Sequence, residues 1–306
     1  MKEGIIMNSI KRKWLDALGT PSYVIPHEPL TFVKRYEYDD FDLEIYTQRN
    51  DVKSLQRVMI AFPKNLTSKC PAVITPFYYP EAMLGFDPVT DERLESFADI
   101  TMMKDLAKRG YITACADAYY LTYTRNVYAK KDFELWEEAG VYLRTDNPNW
   151  SGVGKLFSDT TLLLDAVASD DRVDADHIGI AGHSLGGKMA FYTGCLDERI
   201  KVIVASDFGI GWEQTNWNDV WYWHNSVDEF IKKGIDHSEL LSVAAPKPFC
   251  LIAGHYDNET SYEMMRQAAG YEADDKKLKF INHATGHRPP RWALDEGYDF
   301  LDEWLK

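Results

Sequence analysis

A serine at position 184 lies in the pentapeptide Gly-His-Ser-Leu-Gly (182–186), with one glycine two residues before it and another two residues after it. A short apolar run leads into this pentapeptide, and a helix-compatible stretch rich in Ala, Met and Phe follows it. This context predicts a nucleophile elbow, which consists of a strand, a sharp turn and a helix. Such a turn leaves no room for a side chain at either glycine, and Ser184 itself would be strained. The elbow would expose the Ser184 hydroxyl and direct the N–H of Leu185 towards a carbonyl oxygen under attack.

The elbow requires a sheet and covering helices, and the pattern of the chain predicts both. Buried strands are predicted at 71–76, 111–116, 202–205, 249–253 and 278–281, and β-rich segments at 31–47 and 52–62. Helices are predicted at 11–18, 91–109, 157–168 and 290–305. This alternation predicts an α/β fold with a mostly parallel central sheet covered by helices on both faces. We expect a single domain over 1–306, with an N-terminal helix and a β-rich segment at 1–56.

Two aromatic-rich stretches, 119–155 and 211–247, interrupt the alternation. Their aromatic residues are Tyr119, Tyr120, Tyr123, Tyr128, Trp136, Tyr142 and Trp150 in the first, and Trp212, Trp217, Trp221, Tyr222 and Trp223 in the second. Both stretches leave the C-terminal ends of predicted strands, which is the edge where open α/β sheets bind ligands. We interpret them as lid and pocket insertions; the alternative is that they simply pack on the body of the domain.

The stretch from about Leu156 to Ser206 resembles the α/β-hydrolase superfamily. It is most similar to the branch that holds dienelactone-hydrolase-like proteins and acetylxylan-esterase-like carbohydrate esterases. The resemblance extends from roughly Arg57 to the C-terminus, and the elbow is its most specific part. It implies an α/β-hydrolase fold and a catalytic serine that is followed along the chain by an acid and then by a histidine.

The resemblance implies His287 as the general base that activates Ser184. His287 lies past the last predicted strand and before the closing helix, where the family has its base. The other histidines that follow Ser184 are His224, His237, His255 and His283. Of these, His283 stands at the end of the strand itself, and we expect a structural role for it.

For the acid, the resemblance implies Asp257, just past the strand 249–253. Gly254 before it and Asn258 after it would allow a sharp turn. Asp207, at the end of the strand 202–205, is the competing candidate, because some carbohydrate esterases with a similar elbow take their acid from that position. We expect Asp257 to be the acid of the triad, and Asp207 stays open as the alternative.

The oxyanion hole needs two donors, and Leu185 supplies one. Relatives often carry a His-Gly pair after the strand 71–76, whereas this chain has Pro-Phe-Tyr-Tyr-Pro at 76–80. When the family pattern is aligned with this stretch, the second donor is the N–H of Tyr79, because Pro80 has no N–H. A tyrosine hydroxyl is the alternative donor.

Lys188 is similar to a lysine that glucuronoyl esterases use to bind the sugar. Those enzymes carry an arginine after the serine, where this chain has Leu185, and we therefore expect Lys188 to be a helix residue. His183 is expected to pack, pointing away from the nucleophile's exposed side.

Composition limits the partners of the chain. Its 306 residues carry a formal charge of −14, which argues against nucleic acid or an anionic membrane as a partner. The N-terminus shows no signal peptide and no run is long enough to span a bilayer, so we expect a cytoplasmic protein. No His-x-x-x-His or Cys-x-x-Cys spacing and no phosphate-binding glycine motif occurs, so we expect no metal and no cofactor. The four cysteines, Cys70, Cys115, Cys195 and Cys250, are expected to be buried free thiols.

These features predict a serine hydrolase that cleaves a carboxylic ester through an acyl-enzyme, with Ser184, His287 and Asp257 as its triad. The expected substrate is a small acyl group on a carbohydrate or a similar small alcohol. One alternative is a peptidase or amidase of the same fold, which the lack of a propeller-sized N-terminal region disfavours. Another is a binding protein that has kept the fold without activity. A serine nucleophile excludes a dehalogenase, whose chemistry uses a carboxylate. The oligomeric state is not predicted.

Overall fold

A mixed nine-stranded sheet forms the centre of the protein in a computed structural model that describes residues 2–64, 66, 68–124 and 133–306, with side chains from Ser9 onward. The strands are β1 (Thr31–Glu37), β2 (Phe41–Arg49), β3 (Leu55–Pro63), β4 (Cys70–Ile74), β5 (Ile112–Ala116), β6 (Val173–His183), β7 (Ile200–Ser206), β8 (Phe249–Ala253) and β9 (Leu278–Asn282). Their order in the sheet is β1-β2-β3-β5-β4-β6-β7-β8-β9. The pairs β1–β2, β2–β3 and β3–β5 are antiparallel, and the remaining pairs are parallel.

Helices cover both faces of the sheet, as the alternation predicts. They are α1 (Lys2–Leu18), α2 (Pro80–Leu84), α3 (Met102–Lys108), α4 (Tyr120–Tyr123), α5 (Phe133–Asp146), α6 (Gly152–Ala168), α7 (Leu185–Leu196), α8 (Val227–Lys232), α9 (His237–Ala244), α10 (Glu259–Ala269) and α11 (Arg291–Leu305). The core on one face includes residues of α1, α6, α7 and α9, and the core on the other face includes residues of α3 and α11. The predicted fold class is confirmed, and the parallel strands bring their C-terminal ends to one edge of the sheet.

One predicted β-rich segment consists of two strands, and one predicted helix differs from the structure. The β-rich segment 31–47 is a hairpin of β1 and β2, closed by a hydrogen bond from Tyr38 N to Phe41 O. The predicted helix 91–109 is shortened to a 3-10 turn (Glu95–Phe97) followed by α3. The N–H of Leu94 donates to the carbonyl of Gly85, so the chain there pairs with a preceding loop. Tertiary pairing therefore overrides the apolar periodicity of this stretch.

The second aromatic-rich insertion packs against α1. Trp14 of α1 is fully buried, and its ring lies 6.1 Å from that of Trp212 and 5.3 Å from that of His237. His237 is itself enclosed, with hydrogen bonds to the Tyr192 hydroxyl and to the Ile210 carbonyl. This aromatic cluster attaches the N-terminal helix to the body of the domain.

The four cysteines are buried and carry free thiols, as expected. Across the described ranges, no helix combines the length and the apolar character that crossing a bilayer requires.

Candidate active site

Ser184 is the hinge between β6 and α7, and its backbone is strained. Its φ is 56° and its ψ is −115°, a backbone conformation that residues other than glycine rarely adopt. A Cβ at Gly182 would lie 2.1 Å from the Gly186 carbonyl oxygen, and a Cβ at Gly186 would lie 2.0 Å from that of Pro76. The turn therefore requires glycine at both positions, as the predicted elbow demands.

The hydroxyl of Ser184 lies against the imidazole of His287. The distance from His287 Nε2 to Ser184 Oγ is 2.9 Å, which is within hydrogen-bonding range. His287 comes from the loop between β9 and α11, and its side chain is one-third exposed. The fold thus brings together the two predicted residues that lie 103 positions apart.

Asp207 is the carboxylate that orients His287. It follows β7 directly, and its Oδ2 lies 2.6 Å from His287 Nδ1. Its Oδ1 accepts backbone N–H groups from Gly254, His255, Tyr256 and Asp257, at 2.8–3.3 Å. Burial alone would raise the pKa of Asp207, but the hydrogen bonds from His287 and from the backbone outweigh it and lower the pKa to about 2. The ionised carboxylate is suited to stabilise an imidazolium on His287.

The prediction that Asp257 orients His287 is therefore wrong. Its carboxylate accepts the N–H groups of Phe208, Gly209 and Ile210 at 2.8–2.9 Å. Asp257 lies four residues beyond the end of β8, and the intervening loop carries it towards the chain that leaves β7. Burial raises its pKa to about 6, with the backbone N–H groups acting in the opposite direction. The sequence did carry a signal for Asp207, since it is an aspartate immediately after β7, the strand that pairs with the nucleophile strand β6.

Two tyrosines follow β4, and they are placed differently. Tyr78 lines the cavity together with Ser184. Burial, the larger effect, raises the pKa of Tyr78, and the Ser184 side chain acts in the opposite direction. Tyr79 lies just before α2 with extended backbone, and its ring is 5.7 Å from that of Phe97. The first residue of α7, Leu185, has its N–H at the helix start beside Ser184. Leu185 and Tyr79 remain predicted backbone donors, and the hydroxyl of Tyr78 is a further candidate donor.

His183 is buried, as expected, but it does not point away from the site. Its ring lies 4.7 Å from that of His287, and its Nδ1 lies 3.1 Å from the Ser206 hydroxyl. Burial, with His287 nearby, lowers the pKa of His183 to about 3, so it is neutral. His183 therefore supports one face of the His287 ring without adding charge.

Lys188 is enclosed within the domain. Its ammonium donates to the Phe208 carbonyl at 2.9 Å and lies 4.4 Å from the centre of the Trp217 ring. Burial lowers its pKa to about 7. In this position Lys188 supports the loop that begins at Asp207, which agrees with the expectation that it is a helix residue.

A cavity of about 680 Å³ opens beside Ser184. It is lined by Phe77, Tyr78, Tyr79, Ser96, Phe97, Ile100, Tyr120, Leu121, Phe133, Leu135, Trp136, His183, Ser184, His287 and Arg288. The first insertion contributes five of these residues, although its residues 125–132, with Tyr128, lie outside the described part of the chain. None of the described lining residues comes from 211–247, so the expectation that both insertions form the pocket is wrong for the second.

The described residues contain no group of three or more His, Cys, Asp or Glu side chains arranged to hold a metal ion.

Comparison with known proteins places these features in a family. Residues 151–306, which contain Ser184, Asp207 and His287, match the prolyl oligopeptidase family. A protein of Bacillus subtilis (strain 168), YtaP, whose name describes it as a hydrolase, is 28% identical over 263 residues. That match covers 79% of this chain and 81% of YtaP.

Solved structures of esterases have the same fold. A glucuronoyl esterase from Solibacter usitatus superposes with a TM-score of 0.73 at 14% identity, covering 97% of this chain and 91% of the esterase. A protein of Bacteroides fragilis NCTC 9343 that is described as a candidate acetyl xylan esterase superposes with a TM-score of 0.69 at 17% identity, covering 92% of this chain and 76% of that protein. At these identities the likeness shows the fold, which is that of an α/β-hydrolase.

Proposed function

The chain belongs to the prolyl oligopeptidase family and is thus a serine hydrolase, and we propose that it hydrolyses carboxylic esters through an acyl-enzyme. The observation that carries this proposal is the continuous chain of hydrogen bonds from Ser184 Oγ through His287 to Asp207, at 2.9 and 2.6 Å. A serine hydroxyl is a weak nucleophile at neutral pH and needs such a base to attack a carbonyl carbon.

In the proposed mechanism, Ser184 Oγ attacks the ester carbonyl while His287 Nε2 takes its proton. The negative charge on the carbonyl oxygen is stabilised by the N–H of Leu185 and by the hydroxyl of Tyr78. Collapse of this intermediate breaks the bond to the alcohol, which leaves with the proton from His287. Water then gives its proton to His287, attacks the acyl carbon and releases the acid, and Ser184 regains its proton. Asp207 holds the histidine tautomer and stabilises the imidazolium.

We further propose a small acyl group on a carbohydrate-sized alcohol as the substrate. Among the lining residues, Phe77 and His183 are buried, and His183 directly precedes the nucleophile in the chain, whereas Phe133 and Arg288 are exposed. We therefore assign the acyl group to the buried end of the cavity and the alcohol to the open end. The aromatic lining and a volume of about 680 Å³ suit a ligand of that size. The esterase names of the structural neighbours agree with this proposal.

A peptidase or amidase is the second candidate, and the family match favours it. The same triad cleaves amides when the leaving amine is protonated. A matched pair of substrates that differ only in an ester or an amide bond separates the two: an esterase turns over the ester and a peptidase turns over both.

The direct test is labelling with an organophosphonate that mimics the acyl-transfer intermediate. We expect one equivalent of adduct on Ser184, located by mass spectrometry of peptides, and loss of ester hydrolysis in Ser184→Ala with an unchanged circular dichroism spectrum. Labelling at another residue, or retained activity in Ser184→Ala, would contradict the proposal.

A further inference from the structure

Arg288 is the residue after His287, and its exposed side chain lines the cavity that contains Ser184. Its guanidinium lies 6.0 Å from the centre of the Phe97 ring, on the wall of the cavity. An arginine can rest against an aromatic face in this way and still present its N–H groups to a ligand.

The charge of Arg288 is uncompensated by its described surroundings. No described Asp or Glu oxygen lies within the 4.0 Å of an ion pair with its guanidinium, whereas Arg291, three residues later, pairs with Asp105 at 2.8 Å and with Asp295 at 2.8 Å. The remaining described lining residues are aromatic, aliphatic, hydroxyl-bearing or imidazole side chains. Arg288 is thus the fixed positive charge in the described part of this cavity.

This placement runs against the overall charge of the protein. A formal charge of −14 repels anions in general, so an anionic ligand would need a local cation to bind. Arginine binds carboxylates with two parallel N–H···O bonds, which gives both affinity and orientation.

We propose that Arg288 binds a carboxylate on the alcohol part of the substrate, an inference that rests on the proposed ester hydrolysis. The alcohol side is favoured for two reasons. His287 hands its proton to the leaving alcohol, and Arg288 is its neighbour in the chain. Arg288 is also exposed, at the open end of the cavity to which we assign the alcohol. The preferred substrate class is therefore an acyl ester of a hydroxy acid or of an acidic sugar.

The test compares two pairs of chromogenic esters. The alcohol-side pair is the acetyl ester of a nitrophenol that carries a ring carboxylate, and the same compound with that carboxylate methylated. The acyl-side pair is a nitrophenyl hydrogen glutarate and its methyl ester. The readout is the ratio of kcat/KM between the charged and the neutral member of each pair. Intrinsic reactivity cancels when this ratio is compared between enzyme variants.

In Arg288→Gln we expect the ratio for the alcohol-side pair to fall about tenfold or more, as for the loss of a charged hydrogen bond. Arg288→Lys should keep part of the preference for the charged ester, because lysine supplies a point charge without the two parallel N–H donors of arginine. The matched control is Arg49→Gln on β2, which removes a cation that pairs with Glu28 at 3.3 Å, and its ratio should be unchanged. Equal ratios in Arg288→Gln and in the unaltered protein would overturn the inference. A larger change in the acyl-side pair would overturn the assignment to the alcohol.

Binding separates failure of this inference from failure of the proposed function. Isothermal titration of the carboxylated acetyl ester into Ser184→Ala, with and without Arg288→Gln, needs no turnover. Weaker binding by about tenfold in the double variant would support Arg288 even if the protein hydrolysed no ester. Equal affinity would overturn the inference even if hydrolysis were established.

Discussion

Asp207 and Asp257 lie on the loops that follow two adjacent strands, and each carboxylate accepts backbone N–H groups from the loop of the other. Asp207 Oδ1 accepts those of residues 254–257, and Asp257 accepts those of residues 208–210. The second oxygen of Asp207 is then available to His287 Nδ1 at 2.6 Å. The reciprocal arrangement fixes the acid of the proposed triad from both sides, with Asp257 as a positioning residue.

The two aspartates should therefore differ sharply when each is changed to asparagine. Asp207→Asn should lower kcat for ester hydrolysis by about 10⁴-fold, because the amide favours the wrong tautomer of His287. Asp257→Asn should lower kcat by about tenfold or less, as it removes a loop contact and no group that touches His287. Steady-state kinetics of the two variants, with thermal unfolding to confirm folding, makes the comparison. The reverse order of losses would return the acid to Asp257.

Tyr78 should act in the transition state. Removing one donor from an oxyanion hole typically costs about 10²–10³ in kcat, so Tyr78→Phe should lower kcat in that range with little change in KM. Tyr79→Phe is the control, since it removes the neighbouring hydroxyl and keeps the backbone N–H predicted as a donor. If Tyr79→Phe caused the larger loss in kcat, the assignment of the hydroxyl would be wrong.

Acyl length should decide the rate among simple esters. We expect kcat/KM to be higher for acetyl than for octanoyl esters of one alcohol, because the acyl chain is assigned to the buried end beside Phe77 and His183. A panel of nitrophenyl esters from acetyl to octanoyl measures this. Trp136→Ala, which removes a large side chain of the first insertion from the cavity wall, should reduce the difference in kcat/KM between acetyl and octanoyl esters. A rate that rises with chain length would contradict the assignment of the two ends of the cavity.

Asp257 should make stability depend on pH. Its folded pKa of about 6 lies above the usual value of 3.8, so the folded protein binds this proton more tightly than the unfolded chain does. The resulting stabilisation is full below pH 3.8 and is lost as the pH rises through about 6. The difference between these two pKa values corresponds to a change of about 3 kcal/mol at most in the free energy of unfolding.

Urea unfolding at several pH values from about 4 to 7.5 tests this point. The free energy of unfolding of the unaltered protein should fall relative to that of Asp257→Asn as the pH rises, since other titrating groups are shared and cancel in the difference. Parallel curves would show that Asp257 does not titrate in this range.

The sequence by itself determined the elbow, the order of the central strands along the chain, and the pairing of Ser184 with His287. The first two depend on local rules, namely glycines where a Cβ would collide and apolar runs that must be buried. The pairing with His287 came from the resemblance to α/β-hydrolases, which have their base between the last strand and the last helix. The strand β8 was predicted with the bounds that the structure has. The shortened helix before α3 shows where such rules fail, because a loop contact at Gly85 outweighed the periodicity.

Tertiary structure alone decided which carboxylate faces His287 and which insertion lines the cavity. For the carboxylate, the chain offered two aspartates, each placed shortly after a predicted strand. The choice depended on a few ångströms of loop path, set by hydrogen bonds between residues about 50 positions apart. Spacing along the chain does not encode such distances, because many partners far apart in sequence fix them together.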